Sequence, residues 1–281
     1  MKWDGLRRSS NVEDRRGRGG AGKLGLGTIV VAVVAGWIFG VNPLTILGLL
    51  DGANAPITQQ GAAPPAGDRQ AMFVSTVLAS TEDVWAKLFG AAGRQYAEPR
   101  LVLFGGGSNT TQTGCGLGQS AMGPFYCPAD QTVYIDLGFY DTLEKELGAP
   151  GEFARAYVIA HEVGHHVQNL LGVLPKVDQA RSRMSQTDAN RLSVLQELQA
   201  DCLAGVWAHH ADSQYSMVES GDIESALNAA SRIGDDYLQK RGQGYVVPES
   251  FTHGTSAQRM QWFTTGYKSG KVETCDTFGK M

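Results

Sequence analysis

The chain has 281 residues, enough for one large domain or two small ones with a real core. Hydrophobic residues make up 42% and charged residues 19%, which fits a globular protein. A formal net charge of −4 gives the chain as a whole no reason to seek nucleic acid.

The basic residues are unevenly placed. Lys2, Arg7, Arg8, Arg15, Arg16, Arg18 and Lys23 crowd the first 23 positions among Gly and Ser. Leu24 to Val41 then carries no charge, and after Asn42-Pro43 the apolar character continues to Leu50. At about 1.5 Å per residue such a run crosses a bilayer core, and it is apolar on every face. Residues 24–50 are therefore expected to form one transmembrane helix. No Lys or Arg follows until Arg69, so the charge asymmetry places the N-terminus in the cytoplasm. The expectation is a basic cytoplasmic segment over 1–23, an anchor in the cell inner membrane over 24–50 and a Pro/Gly/Gln linker over 51–70. A catalytic domain over 71–281 would follow on the periplasmic or extracytoplasmic side. A cleaved signal peptide ending near Ala53-Asn54-Ala55 is the rival reading.

Phe73, Val77, Val84, Trp85, Leu88 and Phe89 recur at helical spacing, predicting a helix over 71–92. Leu101–Phe104 reads as a strand ended by three glycines. Cys115 and Cys127 bracket a Gly-containing stretch that a disulfide would close as a loop, whereas Cys202 and Cys275 either pair or remain free. Thr132 to Leu137 alternates as a strand, with Val133 and Ile135 on one face and Tyr134 and Asp136 on the other. Helices follow over 151–171, from an Asn190 cap to about His210, from an Asp222 cap over 223–240, and over 255–267. Ser182 to Asn190 reads as a loop or a fraying helix end. The fold class is α+β: mainly helical, with a small antiparallel sheet near the front.

HEVGHHVQ, from His161, carries the chemistry. At about 3.6 residues per turn, His161 and His165 share a helix face and can converge on one ion. Glu162 lies beside them, able to reach an activated water without being a ligand, which is the H-E-x-x-H arrangement. His166 points about 100° away and reads as a surface or supporting residue. A catalytic zinc needs a third protein ligand, and ELQAD offers Glu197. Asp201, one turn on, can accept a hydrogen bond from the far nitrogen of a ligand histidine.

These motifs resemble those of glutamate-ligand zinc metallopeptidases, and ELQAD is similar to the E-x-x-A-D segment of HtpX-like membrane metalloproteases. With MKWDGLRRSSNVEDRRG, GPFYCPADQTVYID and ELQADCLAGVWA, nearly the whole chain resembles the bacterial predicted neutral zinc metallopeptidase family, the YpfJ-like proteins. The resemblance implies a zincin-like domain, one Zn²⁺ per chain and peptidase activity on a peptide or protein substrate. It also implies that His253 donates to the oxyanion and that Arg259 is structural, paired with an acidic group near the site. Gly254 stands where HtpX-like proteins have Pro. The strand QTVYIDL is either the sheet edge on which a peptide adds a strand or an ordinary strand.

The function expected is a membrane-anchored zinc metallopeptidase with His161, His165 and Glu197 as ligands and Glu162 as general base. A zinc-stabilised, non-catalytic envelope protein and a hydrolase of cell-wall peptide amides remain as alternatives. Nothing in the sequence resembles a nucleotide or nucleic-acid motif, and the oligomeric state is not written in it.

Overall fold

The computed structural model describes residues 1–17, 62–107 and 109–279, and the chain begins inside the fold. The Met1 ammonium pairs with Glu219 at 2.7 Å and Asp222 at 3.2 Å. Trp3, 3% exposed, packs edge-on against Phe73. The expected separate segment over 1–23 is thus corrected across its described part, because residues 1–17 belong to the domain. The reason lies in the charges read as a basic flank. Arg7 pairs with Glu82 and Asp83, Arg15 with Glu13, and Arg16 with Asp14 and Asp68.

The elements run β1 (Val12–Asp14), α1 (Arg69–Ala91), β2 (Arg100–Phe104), β3 (Thr110–Thr113), β4 (Gly116–Gln119), β5 (Phe125–Cys127) and β6 (Thr132–Asp136). Helices follow: α2 (Gly138–Asp141), α3 (Glu152–Leu170), α4 (Val173–Arg181), α5 (Gln186–Tyr215), α6 (Asp222–Arg232), α7 (Asp235–Gln243) and α8 (Ser256–Ser269). The expected anchor over 24–50 lies outside the described residues, as does most of the linker. Among the described residues no helix is long and apolar enough to cross a membrane.

The α+β class holds, but the sheet is mixed rather than antiparallel. Its order is β1-β2-β6-β5, with β1–β2 and β2–β6 parallel and only β5–β6 antiparallel. β2 and β6 run the same way because the excursion through β3, β4 and β5 returns the chain to the end from which β2 started. Alternation then divides the side chains between faces, as the sequence pattern requires. Leu101, Leu103, Val133 and Ile135 enter the main core with α1 and α3, while Val102, Phe104 and Tyr134 form a second cluster with Phe125.

Each helix has a local cause. Asp68 caps α1 by accepting the Ala71 N–H at 3.0 Å. Thr255 and Gln258 form a capping box on α8. α5 starts earlier than expected, with Ser185 as cap. Asn190 lies within the helix, its side-chain amide donating to the Glu249 carbonyl. The helix expected over 223–240 is two, broken at Ile233-Gly234, where a Cβ on Gly234 would fall 2.5 Å from the Ser256 nitrogen. α8 lies along α5 with backbones in contact: a Cβ on Gly266 would meet the Cys202 carbonyl at 1.9 Å, and one on Gly205 the Phe263 carbonyl at 2.1 Å. Disulfides join Cys115 to Cys127 and Cys202 to Cys275.

Candidate metal centre

The centre stands where α3 and α5 meet. α3 is buried along most of its length by Phe153, Ala156, Tyr157, Ile159, Val163 and Val167. Gly164 sets the approach of the two helices, since a Cβ there would lie 2.9 Å from the Ala200 carbonyl oxygen. That approach brings Glu197 of α5 onto the histidine face of α3. His161 Nε2 lies 3.1 Å from Glu197 Oε2, and His165 Nε2 lies 3.4 Å from Glu197 Oε1. One donor atom from each of the three lies within 4.8 Å of the others.

These spacings fit a small ion. Bonds of about 2.0–2.1 Å in tetrahedral geometry set ligand atoms about 3.3 Å apart. The far ring nitrogens are also engaged. His161 Nδ1 faces Asp201 Oδ1 at 2.9 Å, and His165 Nδ1 faces Gln168 Oε1 at 2.8 Å. When the rings are neutral, these acceptors favour the proton on Nδ1, which leaves the Nε2 lone pairs directed at the space beside Glu197.

Asp201 anchors the residues around the candidate site. It is fully buried and accepts from Tyr157 Oη at 2.5 Å and from Arg259 Nε and Nη2 at 2.8 and 2.9 Å. Burial alone would push its carboxyl up. The Arg259 guanidinium and then His161 overcome that and bring it down to about 2. Without a metal, burial opposes charge on His161, yet Asp201 and Glu197 raise it to about 10. A metal entering the site therefore displaces a proton. Burial raises Glu162, whereas Glu197, opposed by burial, is held well below the ordinary carboxylate range by His165 and His161.

The structure brings His161, Glu162, His165 and Glu197 to one cleft wall, with Asp201 behind His161 and Arg259 paired to the Asp201 carboxylate. His253 is half exposed. It lines the same cleft, with its Nδ1 3.2 Å from Asp235. His166 is not a surface residue. It is fully buried, its Nε2–H donating to the Ala97 carbonyl at 2.6 Å and its Nδ1 accepting from Tyr126 Oη at 3.0 Å. β6 is not the sheet edge, because β5 covers it. Sequence reasoning missed Tyr126, Tyr157 and Gln168. Only Gln168 carried a local signal, standing three residues after a ligand histidine on one helix face.

The cleft has a volume of about 950 Å³. His161, Glu162, His165 and Glu197 line it together with Phe125 and Tyr126 of β5 and the apolar side chains of Met122, Phe139 and Leu238.

Two histidines and a glutamate whose donor atoms converge, with a further carboxylate beside them and an open cleft, form a candidate site for one metal ion. The particular family follows from comparison. The chain belongs to the family described as "Putative neutral zinc metallopeptidase", whose profile matches residues 1–278. It is 52% identical over 295 residues to the uncharacterized protein YpfJ of Escherichia coli K12, covering 100% of this chain and 99% of that protein. It is 43% identical over 209 residues to the uncharacterized protein Rv2575 of Mycobacterium tuberculosis, covering 71% of this chain and 67% of that one. No solved structure matches the chain.

Proposed function

We propose that the protein is a zinc-dependent peptidase that hydrolyses peptide bonds in an extended segment of polypeptide. The observation that carries the reading is the convergence of His161, His165 and Glu197 beside Glu162 on the wall of an open cleft. When bound there, zinc supplies a Lewis acid that lowers the pKa of a water molecule and polarises a carbonyl.

The chain's own residues do the rest. Asp201 and Gln168 hold the two imidazoles in the ligating tautomer. Glu162, set in a poorly solvated wall, takes a proton from the attacking water and returns it to the leaving amine. Among the described residues β5 is the sheet's outer strand beside the cleft, so a substrate strand adds to its outer backbone edge. Tyr126 of β5 is tied to α3 through His166 and Asn169, which holds that edge at a fixed distance from the ligands. His253 on the cleft wall, clamped by Asp235, donates to the oxyanion. Attachment to a membrane through residues 24–50 belongs to the same proposal.

The test uses the full chain in detergent, wild type and Glu162→Gln, with bound zinc measured alongside cleavage of an unfolded protein. Wild type should cleave with one zinc per chain. Glu162→Gln should keep the zinc and lose the cleavage. Equal cleavage by both, or a wild-type protein that binds no zinc, would refute the reading.

A further inference from the structure

We infer that the N-terminus and the catalytic domain lie on the same face of the membrane, so that the chain does not cross once between residues 17 and 62. The charge pattern alone pointed the other way, to an N-terminus across the bilayer from the domain. The inference is independent of the peptidase reading.

Glu82 of α1 carries the argument. Its side chain is 1% exposed, and it accepts from Ser9 Oγ at 2.5 Å, Asn11 Nδ2 at 2.9 Å and Arg7 Nη2 at 2.9 Å. All three donors come from the first 17 residues. With those residues on the far side of a bilayer, a carboxylate in the domain interior would lose them together, and a buried charge without partners is strongly disfavoured. The same separation would open the pocket that Trp3 fills against Phe73 and strip β1 from β2.

The two ends of the intervening stretch also meet. The Asp14 N–H donates to the Ala62 carbonyl at 2.8 Å, and Arg16 reaches Asp68 at 2.6 Å. A bilayer core is about 30 Å thick, so a single crossing cannot separate atoms joined by one hydrogen bond. Two full crossings require about 40 apolar residues, more than Leu24 to Leu50 supplies. Three of the arginines that suggested a cytoplasmic flank, Arg7, Arg15 and Arg16, are committed to Glu82, Asp83, Glu13, Asp14 and Asp68, so these three serve the fold and say little about sidedness. The N-terminus and the domain therefore share one face. Two disulfides within that domain point to the oxidising face.

The test places a single extra cysteine at exposed positions of the full chain produced in Escherichia coli: Ser10→Cys near the N-terminus and Lys240→Cys on α7. Spheroplasts and lysates are treated with a membrane-impermeant maleimide, with the wild-type chain as background. Arg8→Cys replaces the first variant if Ser10→Cys fails to accumulate. Modification of both sites in spheroplasts is expected, and protection of both until lysis would also uphold shared sidedness. Modification of one with protection of the other overturns it.

Discussion

Asp201→Asn tests the network that holds His161. The carboxylate receives four hydrogen bonds, three on Oδ1 from Tyr157, His161 and Arg259 and one on Oδ2 from Arg259 Nε. Asparagine offers one acceptor oxygen. Whichever way it turns, its NH₂ faces a donor, and Arg259, 2% exposed, loses its counter-charge. Breaking a buried pair by removing one partner costs about 3–5 kcal/mol. The position of the Asp201 carboxyl, near 2 against an ordinary value of about 3.9, gives roughly 2–3 kcal/mol between its charged and neutral forms, the same order. Against a total stability of about 5–15 kcal/mol, the variant should unfold in chelator at a clearly lower urea concentration. Zinc affinity, read by competition with a chromophoric chelator, should fall about 10- to 100-fold, because His161 Nδ1 loses its acceptor. The double variant Asp201→Leu/Arg259→Met separates the effects. Removing both charges should recover much of the lost stability while zinc affinity stays low. Unchanged urea unfolding and unchanged zinc affinity in Asp201→Asn would refute the argument.

Two further outcomes follow from the site. Gln168→Leu removes the acceptor from His165 Nδ1, and zinc affinity should fall about 10- to 100-fold by the same competition assay, with helical circular dichroism retained. Asp235 accepts backbone N–H groups from Thr252, His253 and Gly254. Burial pushes its carboxyl up, but His253 and those N–H groups prevail and hold it below the usual range. A depressed carboxylate contributes stability that is complete above its unfolded value of about 3.9 and is lost as pH falls through the lower folded value. The difference in melting temperature between wild type and Asp235→Asn should therefore be largest near pH 7 and shrink below about pH 4. A difference that does not change with pH would count against the assignment.

The site was legible because its chemistry is local. His161, Glu162 and His165 sit within one turn, Glu197 and Asp201 within another, and the helical repeat alone puts each set on one face. The Cys115–Cys127 pairing was anticipated from the Gly-containing stretch the two cysteines bracket, whereas Arg259 was anticipated only from the family resemblance. The sheet was less legible because pairing partners are far apart in sequence. Val12–Asp14 is three residues long and contains two acids, so nothing in its alternation marks a strand, and its partner Leu101–Leu103 arrives only after α1. β5, flanked by Pro124 and Pro128, is equally short, which is why the longer β6 was read as a possible edge. Arg7, Arg15 and Arg16 are ambiguous in the sequence for a physical reason. A positive flank and a set of ion-pair donors look identical until their acceptors, Glu82 and Asp68 among them, are located in space.

The same helix explains why the histidine run is so dense. Successive residues on α3 differ by about 100° in direction, so a short stretch addresses several neighbours at once. His161 and His165 face Glu197. Gly164 and Gln168 face α5, the first by absence of a side chain and the second through the Gln196 carbonyl and Gln199. His166 and Asn169 face β5 through Tyr126. Gln199 continues outward to the Cys275 carbonyl, so the orientation of His165 is linked to the segment that the Cys202–Cys275 disulfide ties down. The candidate metal ligands, the helix that carries Glu197 and the candidate substrate edge are thus all referenced to one element. A change at Gln168 acts on the ligand geometry, whereas a change at His166 acts on the distance between that geometry and the strand beside the cleft.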